Sequence, residues 1–148
     1  MTIPASIART VQQTQEWLKE LRDNADFEDE EEALSVLRVV LHQLRDRLTP
    51  EEAVELGAQL PTIVRGIYYE GWRPSRTPER IRSKQAFLDE ITMKLLPRRP
   101  GPERAVQDVF ALVAHHCDPG EISQVIDQLP ADLKKLWPEH ARTFRDRL

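Results

Sequence analysis

The residues best equipped for chemistry are His115, His116 and Cys117, three adjacent side chains that offer two imidazoles and a thiol. Imidazole nitrogen and thiolate sulfur are good ligands for a zinc-like ion, and a Cys–His pair can also act as a nucleophilic centre. Their adjacency argues against both uses. Neighbouring helical residues point about 100° apart, whereas chelation from one helix favours residues three or four positions apart. Cys117 reads instead as a small apolar core residue, and a core thiol stays unactivated. His42 shares a helix with a leucine stripe but has no second ligand or carboxylate pair placed by spacing to work with it. Five scattered glycines build no phosphate loop. No catalytic residue, no metal ligand set and no cofactor is therefore assigned.

The other unusual stretch runs from Tyr68 to Arg82, where Tyr68, Tyr69 and Trp72 sit beside Arg73, Arg76, Arg80 and Arg82. Aromatic anchors with guanidinium neighbours are the composition of binding hot spots, and the expected partner contact is Tyr69, Trp72, Arg73 and Arg76. The competing expectation is that Trp72 folds back and plugs the joint between two halves of the fold. Gly71 suits the left-handed residue that ends a helix, Pro74 blocks its renewal, and Thr77-Pro78-Glu79 is expected to start the next helix.

Charge and composition narrow the classes. The 148 residues are 40% hydrophobic and 31% charged, and a chain of this length buries roughly 70% of its unfolded surface, enough for one core. A lone cysteine excludes an intrachain disulfide framework and points to a reducing compartment, read here as the cytoplasm. The start of the chain lacks a cationic segment followed by an apolar run. No window approaches the ~20 apolar residues of a bilayer span, so no membrane insertion is expected. Residues 69–104 carry 9 basic and 5 acidic side chains, between flanks of 7 and 13 and of 5 and 7. That basic island includes Arg73, Arg76, Arg80, Arg82, Lys84, Lys94, Arg98 and Arg99, which are able to reach phosphates. With a net charge of -4 and no recognition-helix pattern, nucleic acid is disfavoured as a partner.

The elements that must position these residues are helical throughout. Leu34, Leu37, Leu41, Leu44 and Leu48 step by three and four, which predicts one buried helix face with Arg38, Arg45 and Asp46 on the wet side. The acidic run Asp26 to Glu32 suits the start of that helix, with Asp26 as its cap. Thr49-Pro50-Glu51-Glu52 predicts a second start in which Glu52 reaches back to the cap amide. That short helix stops near Gln59-Leu60-Pro61, and a third runs from Pro61 to about Tyr69.

Displaced by 69 residues, the chain lays Pro50, Glu52 and Gln59-Leu60-Pro61 on Pro119, Glu121 and Gln128-Leu129-Pro130. Apolar positions follow, with Leu41 on Phe110, Leu44 on Val113 and Leu48 on Cys117, while Asp46 and Arg47, read as surface, meet His115 and His116. Displaced by 70, Gln15 to Leu21 matches Gln85 to Ile91. The expectation is an all-α chain of two tandem long-long-short-short units, about 15–69 and 85–137, packed as one pseudo-symmetric domain over 1–148. A basic connector, about 70–84, joins them, and a C-terminal helix follows at about 138–148.

The duplicated Gln-Leu-Pro, the Pro-x-Glu start before it, the Phe87-Leu88 helix and the stretch Arg65-Gly66-Ile67-Tyr68-Tyr69-Glu70-Gly71-Trp72-Arg73-Pro74 resemble the bacterial family catalogued as domain of unknown function two-two-six-seven. The resemblance covers about Gln15 to Trp137. It implies an all-helical bacterial protein with no established activity, so it transfers no catalytic residues. The functional expectation is a non-enzymatic interaction or self-association module, whose partner is another protein or a second copy. The alternative is a small-molecule-binding protein or cryptic enzyme with a cleft between the repeats.

Overall fold

The structure, a computed structural model, describes residues 2–25, 27–80, 83–95 and 101–148. Over these the chain is all-α, and no strand occurs among the described residues. In order come α1 (Ala5–Ala25), α2 (Glu30–Arg45), α3 (Pro50–Gly57) and α4 (Thr62–Tyr69), then a 3-10 turn at Pro74–Arg76. The second half holds α5 (Lys84–Lys94), α6 (Pro102–His116), α7 (Pro119–Asp127), α8 (Ala131–Lys134) and α9 (Glu139–Arg142), and ends in a 3-10 turn at Phe144–Arg147. The expected C-terminal helix over 138–148 is thus two short pieces. They are separated at Thr143, whose backbone leaves the helical region.

Helix starts follow the capping chemistry. Thr49 Oγ1 accepts from the Glu52 amide at 3.2 Å, with Pro50 in the first turn. Asp118 caps α7 in the same way, accepting from the Glu121 amide at 3.0 Å. At α2 the cap is Asp29, which accepts from Glu32 at 2.8 Å; Asp26, the expected cap, lies outside the described residues. The helix expected at Thr77 begins instead after Ser83, whose hydroxyl caps Ala86. Glu79 explains the delay: its amide donates to the Asp46 carbonyl and its carboxylate holds Arg47, so the chain is latched to the end of α2 before it can turn.

One contiguous buried cluster runs from Trp17 to Ala141, built on the mutual packing of α1, α2, α5 and α6, with α3 against α7 at one side. The leucine stripe is buried as its spacing demands: Leu37, Leu41, Leu44 and Leu48 are fully buried, and Leu34 packs half-buried at the margin. Phe110 stacks on Trp137 with ring centres 4.1 Å apart. Two expected surface positions are corrected. Arg45 is only 4% exposed, and its guanidinium donates to the carbonyls of Tyr68 and Glu70 and to the Asp46 carboxylate. Arg47 is equally buried, bonded to Gln43 and Glu79 with its guanidinium over the Phe87 ring. An apolar periodicity cannot reveal an arginine turned inward, because the partners that neutralise it are carbonyls and a carboxylate supplied by later segments.

Helix α1 departs from the pattern in a different way. Thr14, Leu18, Leu21 and Ala25 face the core; Ile7 and Val11 continue the same stripe along the helix, and Ile3 lies just ahead of its first residue, yet Ile3, Ile7 and Val11 stand 58%, 54% and 41% exposed. The first half of α1 therefore carries an apolar face that no other described part of the chain covers.

Candidate functional site

The corner after α4 holds the residues expected to meet a partner. Gly71 takes φ of 69°, the left-handed conformation that lets the chain leave the helix, and Trp72 packs half-buried against the core. Tyr69 lies beside it with ring centres 5.3 Å apart, and rests on the backbone of Gly57, where a β-carbon would collide with the phenol. Arg73 and Arg76 are exposed. Two half-buried aromatics thus lie in contact, followed in the chain by two exposed guanidinium groups. The corner is held from beneath by Arg45 and by His42, whose Nε2–H donates to the Ile67 carbonyl at 2.6 Å. Burial lowers the pKa of His42 against the opposing effect of that bond to Ile67. The Trp72 indole N–H is buried and has no acceptor among the described residues. Arg82, Arg98 and Arg99 of the basic island lie outside the described residues.

A second cluster sits where α3 meets α7. Gln128 accepts the Thr49 amide at 3.1 Å, and Gln59 accepts the Asp118 amide at 3.1 Å, so each Gln-Leu-Pro turn caps the helix start opposite. Glu52 was expected to take the Thr49 amide. With that amide occupied, Glu52 turns inward instead, 5% exposed, and its carboxyl group lies with those of Glu55 and Glu121 inside a 4.8 Å cluster. Burial, followed by hydrogen bonds and repulsion from Glu121 and Glu55, pushes the Glu52 pKa up to about 8. Glu52 Oε1 and Glu121 Oε1 both lack a donor, which a proton on Glu52 relieves by turning one acceptor into a donor. The neighbouring Cys117 thiol is buried, with its pKa pushed up to about 12 by burial, then by Glu121 and Asp118, and it remains a thiol at neutral pH as its core placement implies.

The third cluster joins α1 to α6. His115 Nδ1 and His116 Nε2 each lie 2.5 Å from one oxygen of the Glu20 carboxylate. Both histidines lie in the last turn of α6, and they reach one carboxylate because His115 uses its near nitrogen, Nδ1, and His116 its far one, Nε2, each towards a different Glu20 oxygen; the two rings are 4.7 Å apart. The partnership of Glu20 with residues 95 and 96 positions away is invisible to local spacing. Only the tertiary packing of α1 on α6 creates it. Partial burial works to raise the Glu20 pKa, but hydrogen bonds from His116 and His115, with their charges, together outweigh it and lower the pKa.

Elsewhere a shallow hollow of about 600 Å³ lies between α5 and the start of α6, lined by Leu88, Pro102 and polar side chains. No helix among the described residues is long and apolar enough to cross a membrane. Among known families, a model described as "Uncharacterized conserved protein (DUF2267)" matches residues 14–136. No curated protein matches the chain.

Proposed function

The chain belongs to the DUF2267 family, and on that premise we propose that it is a non-enzymatic helical interaction module, with a second copy or another protein as its ligand. The observation that carries this reading is the half-covered stripe of α1. Leu18, Leu21 and Ala25 show what the stripe does when an apolar partner is present; Ile7 and Val11, with Ile3 just ahead of the helix, are exposed apolar residues without one among the described residues. Apolar residues in register on one helix face are a groove-filling or helix-pairing surface, and their burial by a partner is favourable by about 25 cal/mol for each Å² removed from water.

Tyr69, Trp72, Arg73 and Arg76 form a second contact in this proposal. The aromatics supply a rigid half-buried base, and Arg73 and Arg76, both exposed, face an acidic partner surface. We also read the chain as an internal duplication. The reading is supported by the mutual caps Gln128 to Thr49 and Gln59 to Asp118, each pair of residues standing 69 positions from its counterpart.

The test is sedimentation velocity across a concentration series, run beside affinity capture from a lysate of the host. Wild type is compared with Ile7→Asp/Val11→Asp and with Arg73→Glu/Arg76→Glu. The expected outcome is a complex formed by the wild type and lost in the first variant, with circular dichroism unchanged. A complex that survives both double substitutions overturns the assignment of these surfaces. A monomer that enriches only a small molecule overturns the interaction reading in favour of a ligand-binding protein.

A further inference from the structure

We propose that Glu20, His115 and His116 form a binding site for one divalent transition-metal ion of the zinc class, held between α1 and α6. Three ligand atoms, two imidazole nitrogens and a carboxylate oxygen, lie within 4.8 Å of one another. A nitrogen-rich set of this kind selects zinc, cobalt or nickel over magnesium or calcium, which prefer oxygen cages.

The geometry is close to what such an ion needs. Metal–nitrogen and metal–oxygen bonds of about 2.0–2.1 Å place neighbouring ligand atoms of a tetrahedral centre about 3.3 Å apart, so the 2.5 Å nitrogen–oxygen pair that contains the ligating oxygen opens by about 0.8 Å to admit the ion, while the other imidazole faces the second oxygen of the same carboxylate. The His115 side chain is 67% exposed and moves freely enough to supply that opening. His116 is more tightly placed: its ring stacks on the indole of Trp17, 4.7 Å between centres and 24° between planes, and Trp17 itself is 4% exposed. One fixed ligand, one semi-buried carboxylate and one adjustable ligand make a site that is partly organised before binding.

In the metal-free state both imidazoles present an N–H to Glu20. Binding substitutes the cation for those two protons: each proton leaves the carboxylate-facing nitrogen, moving to the other ring nitrogen or to solvent, and the freed lone pairs bind the ion. No oxidant or co-reactant is involved, and affinity falls in acid as protons compete. Three protein ligands beside an exposed imidazole leave at least one coordination position to water. The ion ties α1 to α6, so its binding stabilises the folded state by mass action. This site is independent of the contacts proposed above.

Calorimetric titration of the untagged full-length chain with zinc chloride near neutral pH tests the proposal, with cobalt absorbance and thermal melting alongside. The expected result is one equivalent bound, a visible cobalt band typical of low coordination number, and a rise in melting temperature reversed by chelator. Glu20→Gln and His116→Gln each weaken affinity by at least about tenfold, while His140→Gln, an exposed histidine outside the cluster, leaves it unchanged. Equal affinity in wild type and Glu20→Gln reduces the site to ordinary surface chelation and overturns it, as does the absence of saturable binding. Should Glu20→Gln fold poorly, His115→Gln, whose side chain is mostly in solvent, reports the same loss.

Discussion

Replacing Glu52 by glutamine removes an ionisable group from the joint between α3 and α7, and the expected consequence depends on pH in a fixed direction. In the folded chain the Glu52 pKa stands near 8 against 4.5 for the unfolded group, mainly because its carboxyl is buried and next because Glu121 and Glu55 crowd it. Between those values the folded state binds a proton that the unfolded chain has released. Stability is therefore fully present below about pH 4.5 and is lost as pH rises towards 8. At about 1.4 kcal/mol for each pH unit, the interval sets a ceiling of about 5 kcal/mol. Glu55 is exposed and water screens its charge, so about 1–3 kcal/mol is the expected loss. Glutamine keeps the shape and can donate to Glu121 without ionising. Urea unfolding followed by far-ultraviolet circular dichroism, at pH 5 and at pH 8, should show Glu52→Gln close to wild type in acid and more stable than it by about 1–3 kcal/mol at the higher pH. Parallel stability profiles for the two proteins would mean that Glu52 is ionised and solvated in the folded state, and the account of a shared proton would be wrong.

Other substitutions probe the remaining supports. Arg45→Ala strands the carbonyls of Tyr68 and Glu70, so it should cost about 3–5 kcal/mol in chemical denaturation, and near-neutral behaviour would show that water takes over those carbonyls. Gly71→Ala should cost about 1 kcal/mol from its positive φ alone, since a β-carbon there meets nothing within 4 Å; a larger loss would show that the corner is more tightly built. Phe110→Ala removes a fully buried ring stacked on Trp137 and should cost about 3–5 kcal/mol, with a near-ultraviolet dichroism change from the unstacked indole. Gln59→Ala and Gln128→Ala should each cost about 1 kcal/mol and combine additively, because they cap different helices; strong coupling would show that the two caps form as one unit.

Much of the fold was legible because it depends on chemistry local to a few residues. The Thr49 cap, the stop at Gly71 and the burial of Leu37 through Leu48 follow from side chains close in sequence, and the core placement of Cys117 followed from its match to Leu48 at a displacement of 69 residues. The start of α5 and the inward turn of Arg45 did not follow, since each is decided by a group on another element: Asp46 and Arg47 for Glu79, and the carbonyls of Tyr68 and Glu70 for Arg45. The exposed apolar face at Ile7 and Val11 was not among the expectations, because whether a stripe is covered is a property of where α1 sits. Of the aromatic corner, residue types were legible and depth was not. Tyr69 and Trp72 lie half-buried, between the plug and the exposed contact that their composition allowed.

The two polar clusters that matter most for chemistry share one physical origin. Glu20 meets His115 and His116, and Glu52 meets Glu121, across the packing of an earlier helix on a later one. Within a single helix a carboxylate and an imidazole at these positions are solvated and unremarked. They become a candidate ligand set, or a pair able to share a proton, only after apolar packing has removed the water between the helices and held their side chains together. The apolar stripe of α2 and the stack of Phe110 on Trp137 thus do more than stabilise the core. They fix the approach of α6 to α1 and of α7 to α3, and on those two approaches the ionisation of Glu52 and the spacing of Glu20 from the histidines depend. Loosening the core should therefore perturb both clusters before it abolishes helix content, since helical hydrogen bonds are local to each helix whereas the clusters exist only across the packing of one helix on another.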